Sequence, residues 1–224
     1  MINGVLFDFS GTLFRFEPRP GWPSVTADEA ARERLTTLLT APTMSTEHLP
    51  PDLVEAWERR DLDPDVHHTV YLAILAGSGV ELTPEETDAV YVSLSDPEAW
   101  RPYPDTESVL RGLRAAGVPV AVVSNIAWDI RDVFRRHGFE DLVDEFVMSY
   151  VEGVVKPDPK IFTLACQRVG VQPEHALMVG DSPENDGGAE TVGCATAIVE
   201  PVPTADRPAA LRQIVSDWLP NVKS

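Results

Sequence analysis

The stretch that decides the fold lies near the start of the chain: Val5-Leu6-Phe7-Asp8-Phe9-Ser10-Gly11-Thr12-Leu13. Its first three apolar residues predict a buried β-strand that ends at Asp8, and Gly11 lets the backbone turn closely around a ligand. A carboxylate at a strand tip is suited to metal binding or to nucleophilic attack. A single D-x-x-G-T is nevertheless more often a turn cap, so other segments must decide between these interpretations.

Further short apolar runs bounded by Gly, Pro or Asp lie at residues 119–123, 146–148, 176–179 and 196–199. Helix-length segments separate them, such as the one that Asp158-Pro159 opens and Gly170 closes. This alternation predicts a doubly wound α/β domain, a parallel sheet with helices on both faces. Its ligand crevice is expected beyond the carboxyl ends of the strands, where Asp8, Ser124 and Asp181 fall.

A helical segment interrupts the alternation after the first strand. From about Arg15 to Asp96 we find helix signals but no convincing strand. These signals are capping boxes at Thr26/Glu29, Asp52/Glu55 and Thr83/Glu86 and a helix start at Asp63-Pro64. Three or four helices are expected, and prolines at both edges suit linkers. We therefore assign residues 1–15 and 98–224 to the α/β core and residues 16–97 to an inserted all-α domain.

The composition excludes several classes of protein. Of the 224 residues 43% are hydrophobic, which suffices for a sizeable core, and two cysteines are too few for a disulfide framework. The net charge of −18 repels nucleic acids and anionic lipid surfaces. No apolar run reaches the roughly 18–20 residues of a membrane span, and no secretory signal is recognisable. We expect a cytoplasmic monomer or homodimer with a small-molecule substrate, and neither a nucleic-acid nor a membrane partner.

Three other segments place polar residues beside predicted strands. At Ser124-Asn125 a hydroxyl and backbone donors can hold an anion, although this pair alone is also a common helix cap. Lys156 is one of three lysines, and its spacing alone favours an exposed ammonium group. Asp181 ends the fourth run and Asp186 lies near the start of the following helix. With Asp8, these carboxylates would repel one another unless a hard cation such as Mg²⁺ bound among them.

In this order the segments resemble the motifs of the haloacid dehalogenase (HAD) superfamily of hydrolases. The motifs are an aspartate loop, a Ser, a Lys and then G-D-S-x-x-x-D, and the match runs from about Val5 to Val199. The helical insertion resembles the cap domain of that family. The resemblance implies a Rossmann-like core, a mobile cap and an aspartyl-enzyme intermediate.

The resemblance also implies a nucleophile and a metal site. Asp8 is the implied nucleophile. The implied ligands of Mg²⁺ are the Asp8 carboxylate, the backbone carbonyl of Ser10 and Asp181. Asp186 is implied to orient metal-bound waters or Lys156.

An anion-binding cradle follows from the same resemblance. Ser124 and Lys156 are implied to hold the transferring group, and backbone amides near Gly11, Thr12 and Asn125 to complete the cradle. The positive charges of Mg²⁺ and Lys156 would let an anionic nucleophile approach an anionic substrate.

Ser10 departs from the pattern of the family's phosphatases and mutases, which have a second Asp at this position. That Asp acts as an acid on the leaving group and then as a base on water. A serine hydroxyl does not titrate near neutral pH, and loss of a positioned acid and base typically removes roughly 10² to 10⁴ in rate. We expect a Mg²⁺-dependent hydrolase of a small phosphorylated metabolite, with an efficiency limited by Ser10.

Two alternatives stay open. The 2-haloacid dehalogenases of the superfamily need neither metal nor acid, but they lack the Gly-Asp that is present here as Gly180-Asp181. A catalytically weakened domain that binds a phosphorylated ligand or a partner protein is the second alternative.

A Schiff base on a cap lysine is close to excluded, because no lysine precedes Lys156. His67 and His68 in the insertion could transfer protons, but we expect a solvated pair.

Overall fold

The structure is a computed structural model that describes residues 1–40, 49–207 and 209–222. Its main sheet has five parallel strands, in agreement with the five apolar runs of the sequence. The strands are β1 (Gly4–Phe7), β4 (Val120–Ser124), β5 (Glu145–Met148), β6 (Ala176–Gly180) and β7 (Ala195–Ile198). Their order across the sheet is β5-β4-β1-β6-β7, so the first strand of the chain is central. The predicted doubly wound α/β class is confirmed.

Helices cover both faces of this sheet, which is why its strands are apolar runs rather than alternating patterns. Val5 and Phe7 point into one core layer and Leu6 into the other. The helices are α5 (Thr106–Ala115), α6 (Arg131–His137), α7 (Ser149–Glu152), α8 (Pro159–Arg168) and α9 (Ala210–Trp218). Side chains of α5, α6 and α9 fill the first layer, and those of α8 fill the second.

The helical insertion is entered and left through a two-stranded antiparallel ribbon. Strand β2 (Phe14–Phe16) pairs with β3 (Trp100–Pro102). The prediction of no strand from about Arg15 to Asp96 is therefore wrong at its start, where Arg15 and Phe16 belong to β2. The strand is only three residues long and its partner is distant in sequence, so little local signal marks it. Between the two strands lie α1 (Glu29–Thr40), α2 (Val54–Glu58), α3 (Pro64–Ala76) and α4 (Pro84–Val92). Residues 41–48 of the assigned insertion lie outside the described residues.

The helix starts of the insertion agree only in part with the sequence signals. The capping box of Thr83 and Glu86 is present, and the Asp63 carboxylate caps α3. The predicted box at Thr26 is wrong, because α1 begins at Glu29 and Asp28 accepts the hydrogen bond from the Ala30 amide. The predicted box at Asp52 is also wrong, since the turn there has no side-chain cap.

Among the described residues, no helix has the length and apolar character needed to cross a membrane.

Candidate active site

Three polar residues meet at the carboxyl edge of the sheet because their strands are neighbours. Asp8 follows β1, Ser124 ends β4 and Asp181 follows β6. Strand β1 pairs directly with both β4 and β6, so the three residues lie side by side at the middle of the sheet. This is the edge at which open α/β sheets bind their ligands.

Lys156 is buried between two of the carboxylates. Its Nζ lies 2.7 Å from Asp8 Oδ1 and 2.6 Å from Asp186 Oδ1, and its side chain is only 3% exposed. Spacing alone had favoured an exposed ammonium group, and that interpretation is wrong. Burial by itself lowers the pKa of Lys156, but the charges of Asp186 and Asp8 raise it above its usual value. The lysine therefore stays charged inside the protein.

Asn125 holds the backbone that carries Lys156. Its Nδ2 donates to the Lys156 carbonyl at 2.9 Å, and its Oδ1 accepts from the Lys156 amide at 2.7 Å. Asn125 belongs to the loop that ends at Ile130, and α6 begins at Arg131. The Asn125 side chain thus positions the lysine loop.

Three carboxylates form one compact cluster. Asp8, Asp181 and Asp186 each place an oxygen so that all three lie within 4.8 Å of one another. The backbone passes so close that a Cβ on Gly11 would lie 2.2 Å from Asp181 Oδ2, and one on Gly180 would lie 2.0 Å from Asp186 Oδ2. Gly11 also has a φ of +75°, which favours glycine. Both glycines are therefore part of how the acidic side chains are placed.

The cluster carries more negative charge than Lys156 can offset. Burial raises the pKa of Asp8 to about 7; Lys156 opposes this rise, while Asp186 and Asp181 add to it. Burial and then the charge of Asp186 raise the pKa of Asp181 to about 6. Hard divalent cations prefer such oxygen ligands, and one more positive charge would relieve the repulsion. The residues present therefore fit a divalent cation such as Mg²⁺.

The cluster opens into a cavity of about 200 Å³. The core supplies one wall with the predicted site residues Asp8, Ser10, Ser124, Asn125, Lys156, Asp181 and Asp186. The insertion supplies residues on the other side, namely Leu39, Thr40, Arg60, Asp61, His67, Tyr71 and Leu94. A ligand in the cavity would thus contact both parts of the chain.

Two predicted site residues, Gly11 and Thr12, do not line this cavity. The Gly11 amide donates to the Phe14 carbonyl at 2.7 Å, which closes the turn after β1. Thr12 is fully buried, and its Oγ1 lies 3.4 Å from Asp8 Oδ2. Both residues shape the loop around the Asp8 carboxylate, and their part in anion binding stays a prediction.

Comparison with known proteins agrees with this geometry. The sequence matches the family model of haloacid dehalogenase-like hydrolases over residues 2–193. The chain belongs to this family and is a hydrolase. It is 33% identical over 206 residues to the glyceraldehyde 3-phosphate phosphatase of Methanopyrus kandleri, a match that covers 88% of this chain and 83% of that protein. The HAD superfamily resemblance of the sequence motifs is confirmed.

Solved structures show the same fold. A HAD phosphatase from Thermococcus onnurineus aligns with a TM-score of 0.56 and 26% identity, over 89% of this chain and 86% of that one. The L-2-haloacid dehalogenase from Xanthobacter autotrophicus aligns with a TM-score of 0.67 and 24% identity, over 95% and 83%. The second likeness shows the fold alone, so it does not distinguish dehalogenation from phosphate chemistry.

Sequence reasoning missed one residue that holds the loop after Asp8 in this HAD-like hydrolase. Arg207 is buried, with its guanidinium carbon 3.2 Å from the centre of the Tyr103 ring. Its Nη1 donates to the Gly11 carbonyl at 2.6 Å, and its Nη2 donates to the Thr12 carbonyl. Backbone carbonyls leave no signature in a sequence, so nothing near residue 207 could have indicated this contact.

We expect Arg207→Met to destabilise the hydrolase, because the Gly11 and Thr12 carbonyls lose their shared donor. Unsatisfied buried acceptors of this kind lower the free energy of unfolding by about 2–6 kcal/mol for the pair. Urea unfolding of the purified variant measures this loss. Arg34→Met, at an exposed arginine of α1, is the matched control and should leave stability unchanged. Equal stability of the Arg207 variant and the wild type would contradict the contact.

The two histidines of the insertion do not form the expected solvated pair. His67 is buried, and its Nδ1 lies 2.9 Å from the Tyr91 hydroxyl. Burial lowers the pKa of His67 to about 3, so its ring is neutral. His68 lies outside the cavity with its Nε2 2.6 Å from Asp88 Oδ1. The two histidines differ because only the side of α3 that carries His67 faces the cavity. The sequence alone did not show which side that is.

Proposed function

We propose that this HAD-like hydrolase is a Mg²⁺-dependent phosphatase that acts on a small phosphorylated metabolite through an aspartyl phosphate on Asp8. The observation that carries the proposal is the buried Lys156 ammonium, which contacts both Asp8 and Asp186 at the floor of the cavity. A fixed positive charge beside a strand-end carboxylate suits a reaction between two anions. The phosphatase from Methanopyrus kandleri supports the choice of phosphate as the transferred group.

The nucleophilic step follows from the placement of Asp8. An Asp8 oxygen attacks phosphorus, the bond from phosphorus to the leaving oxygen breaks, and the leaving oxygen takes up a proton. Lys156 offsets negative charge on Asp8 and on the phosphoryl oxygens as they approach each other. The Ser124 hydroxyl lines the cavity and can donate to a phosphoryl oxygen. Water then hydrolyses the aspartyl phosphate and regenerates Asp8.

The implied metal has its ligands in the acidic cluster. Asp8, Asp181 and the backbone carbonyl of Ser10 would hold Mg²⁺, with Asp186 orienting its waters or Lys156. When bound, Mg²⁺ supplies positive charge to the phosphoryl oxygens and stabilises the developing charge of the reaction. The assignment is supported by the all-oxygen ligand set and by the raised pKa values of Asp8 and Asp181.

We also propose that the insertion, residues 16–97, acts as a cap that selects the substrate. Arg60, Asp61 and Tyr71 of the insertion line the cavity opposite the core residues. Pockets for drug-sized ligands usually measure about 300–1,000 Å³, so a cavity of about 200 Å³ suits a smaller molecule. The substrate class is therefore a small metabolite rather than a polymer or a protein.

A paired assay tests the proposed function. Protein stripped with EDTA is expected to release phosphate from phosphate esters or acyl phosphates only after Mg²⁺ is added. Acyl phosphates should react faster, because their leaving group needs no acid. The same protein is expected to release no halide from 2-haloacids. Three clustered carboxylates fit a bound cation, and a metal-free attack on carbon does not require one.

Three outcomes would contradict the proposal. Metal-independent halide release would favour a dehalogenase. Phosphate release that is equally fast in EDTA would contradict the metal site. Absence of both phosphate release and halide release, together with binding of phosphorylated ligands, would favour a catalytically weakened binding domain.

A further inference from the structure

Asp61 of the insertion lies in the same cavity as Asp8 and Ser10. Its side chain is 14% exposed, and its backbone carbonyl accepts a hydrogen bond from Ser149 Oγ at 2.5 Å. Ser149 Oγ itself accepts from the Ile126 amide at 2.9 Å. Asp61 is thus tied through its backbone to the core loop that begins at Asn125. Asp61 is therefore a residue of the cavity lining whose backbone is held by the core.

The groups around Asp61 leave its carboxyl able to exchange a proton. Arg60 Nη2 lies 3.3 Å from Asp61 Oδ2, and the neutral His67 has its Nε2 4.0 Å from Oδ1. Tyr71 and Lys156 line the cavity with it. Burial raises the pKa of Asp61, while the charges of Arg60 and Lys156 lower it by less. The pKa of the Asp61 carboxyl therefore lies above that of an exposed aspartate, which favours its protonated form.

Other titratable groups of the cavity are less suited to proton transfer. Asp186 is held by Lys156 and by the Ser182 amide, and Asp181 belongs to the acidic cluster. His67 has a strongly lowered pKa and contacts Tyr91. Ser10 has no titratable carboxyl. Asp61 remains as an acidic residue that lines the cavity and lies outside the acidic cluster.

We propose that Asp61 is the general acid and base of this hydrolase, in place of the carboxylate that position 10 lacks. The proposal rests on the proposed phosphatase function. In the first step the Asp61 carboxyl gives its proton to the leaving oxygen as the bond from phosphorus breaks. In the second step the Asp61 carboxylate takes one proton from water, whose oxygen bonds to phosphorus. The bond between phosphorus and Asp8 breaks, and both residues return to their starting states.

Asp61→Asn tests this role, because the amide keeps the size and the backbone contact but does not titrate. With an alkyl phosphate and Mg²⁺, kcat is expected to fall by roughly 10² to 10⁴ while KM changes little. With p-nitrophenyl phosphate the leaving group needs no acid. A burst of about one nitrophenolate per enzyme, followed by slow turnover, is expected because only the base step is lost.

A second variant separates a catalytic role from a structural one. Adding Ser10→Asp to Asp61→Asn places a carboxyl at the position where related phosphatases have one, and we expect it to restore at least part of kcat. The pH profile of kcat should lose one limb in the single variant and regain a limb, at a different pH, in the double variant. Asp65→Asn, at an exposed residue of α3, is the matched control and should behave as the wild type.

Full activity of Asp61→Asn would overturn the proposed role of Asp61 but not the proposed phosphatase function. A loss of activity that shows no burst, no change of pH profile and no rescue by Ser10→Asp would have the same meaning. Absence of phosphate release from the wild type would overturn the proposed function and this role with it. If Asp61→Asn does not fold, Asp61→Glu decides. It keeps a carboxyl on a longer side chain and is expected to shift a limb of the pH profile, and an unchanged profile would overturn the proposal.

Discussion

Asp8→Asn is expected to abolish turnover and, in the metal-free protein, to raise the melting temperature at alkaline pH. The amide keeps the shape of the side chain but cannot form the aspartyl intermediate, so kcat should fall by about 10⁴-fold or more. A phosphate-release assay at saturating substrate and Mg²⁺ measures this loss. A single substitution would then remove activity while it strengthens the fold.

The stabilising effect follows from the pKa of Asp8. Burial raises it from the ordinary 3.8 to about 7, so the folded state holds a proton that the unfolded state has released. The stability linked to this proton is fully present below pH 4 and is lost as the pH rises to about 7. Asparagine resembles protonated Asp8 at every pH, so the variant does not lose this stability as the pH rises. The advantage of the variant should therefore grow between pH 5 and pH 8.

Thermal unfolding in EDTA at these two pH values measures the difference in melting temperature. A protein of this size changes by roughly 2–4 °C for each kcal/mol. Asp52→Asn, at an exposed residue, is the control and should match the wild type at both pH values. Added Mg²⁺ should stabilise the wild type more than the Asp8 variant. A variant that is less stable than the wild type at pH 8 in EDTA would contradict the charge balance of the cluster.

The sequence predicted the sheet because each core strand is a continuous apolar run, a local pattern that burial on both faces requires. It also predicted which residues follow the strand ends, and Asp8, Ser124 and Asp181 lie together because β4 and β6 flank β1. The acidic cluster follows from these positions at the strand ends, and the mutual repulsion of its carboxylates predicts a bound cation. These features depend on short segments and on simple rules of topology.

Contacts between distant segments could not be predicted in this way. The ribbon of β2 and β3 joins two short strands on either side of the insertion. The ion pairs of the buried Lys156 depend on where the loop after α7 returns to the sheet. Asp61 faces the cavity because its backbone contacts Ser149 of the core. Contacts of this kind leave no local pattern in the sequence, and the proximity of Lys156 to Asp186 was implied only by the family resemblance.

Lys156→Met should be the most destabilising of these substitutions and should also remove activity. Methionine has a similar length and no charge, so Asp8 and Asp186 would face each other without the ammonium group that now separates them. Loss of one partner from a buried ion pair lowers the free energy of unfolding by about 3–5 kcal/mol. Phosphate release should fall as well, because the fixed positive charge beside Asp8, the proposed nucleophile, is lost.

Urea unfolding at pH 8 in EDTA measures the stability loss, and Lys160→Met is the control because that lysine is exposed four residues further along the chain. The double variant Asp8→Asn/Lys156→Met gives the interaction energy between the two side chains. Lys156 is expected to stabilise the fold partly by balancing the charge of Asp8. The loss in free energy of unfolding caused by Lys156→Met should therefore be smaller in the Asp8→Asn background than in the wild type. Equal losses in both backgrounds would mean that Lys156 stabilises the fold through Asp186 alone, and that its contact with Asp8 contributes to catalysis without contributing to stability.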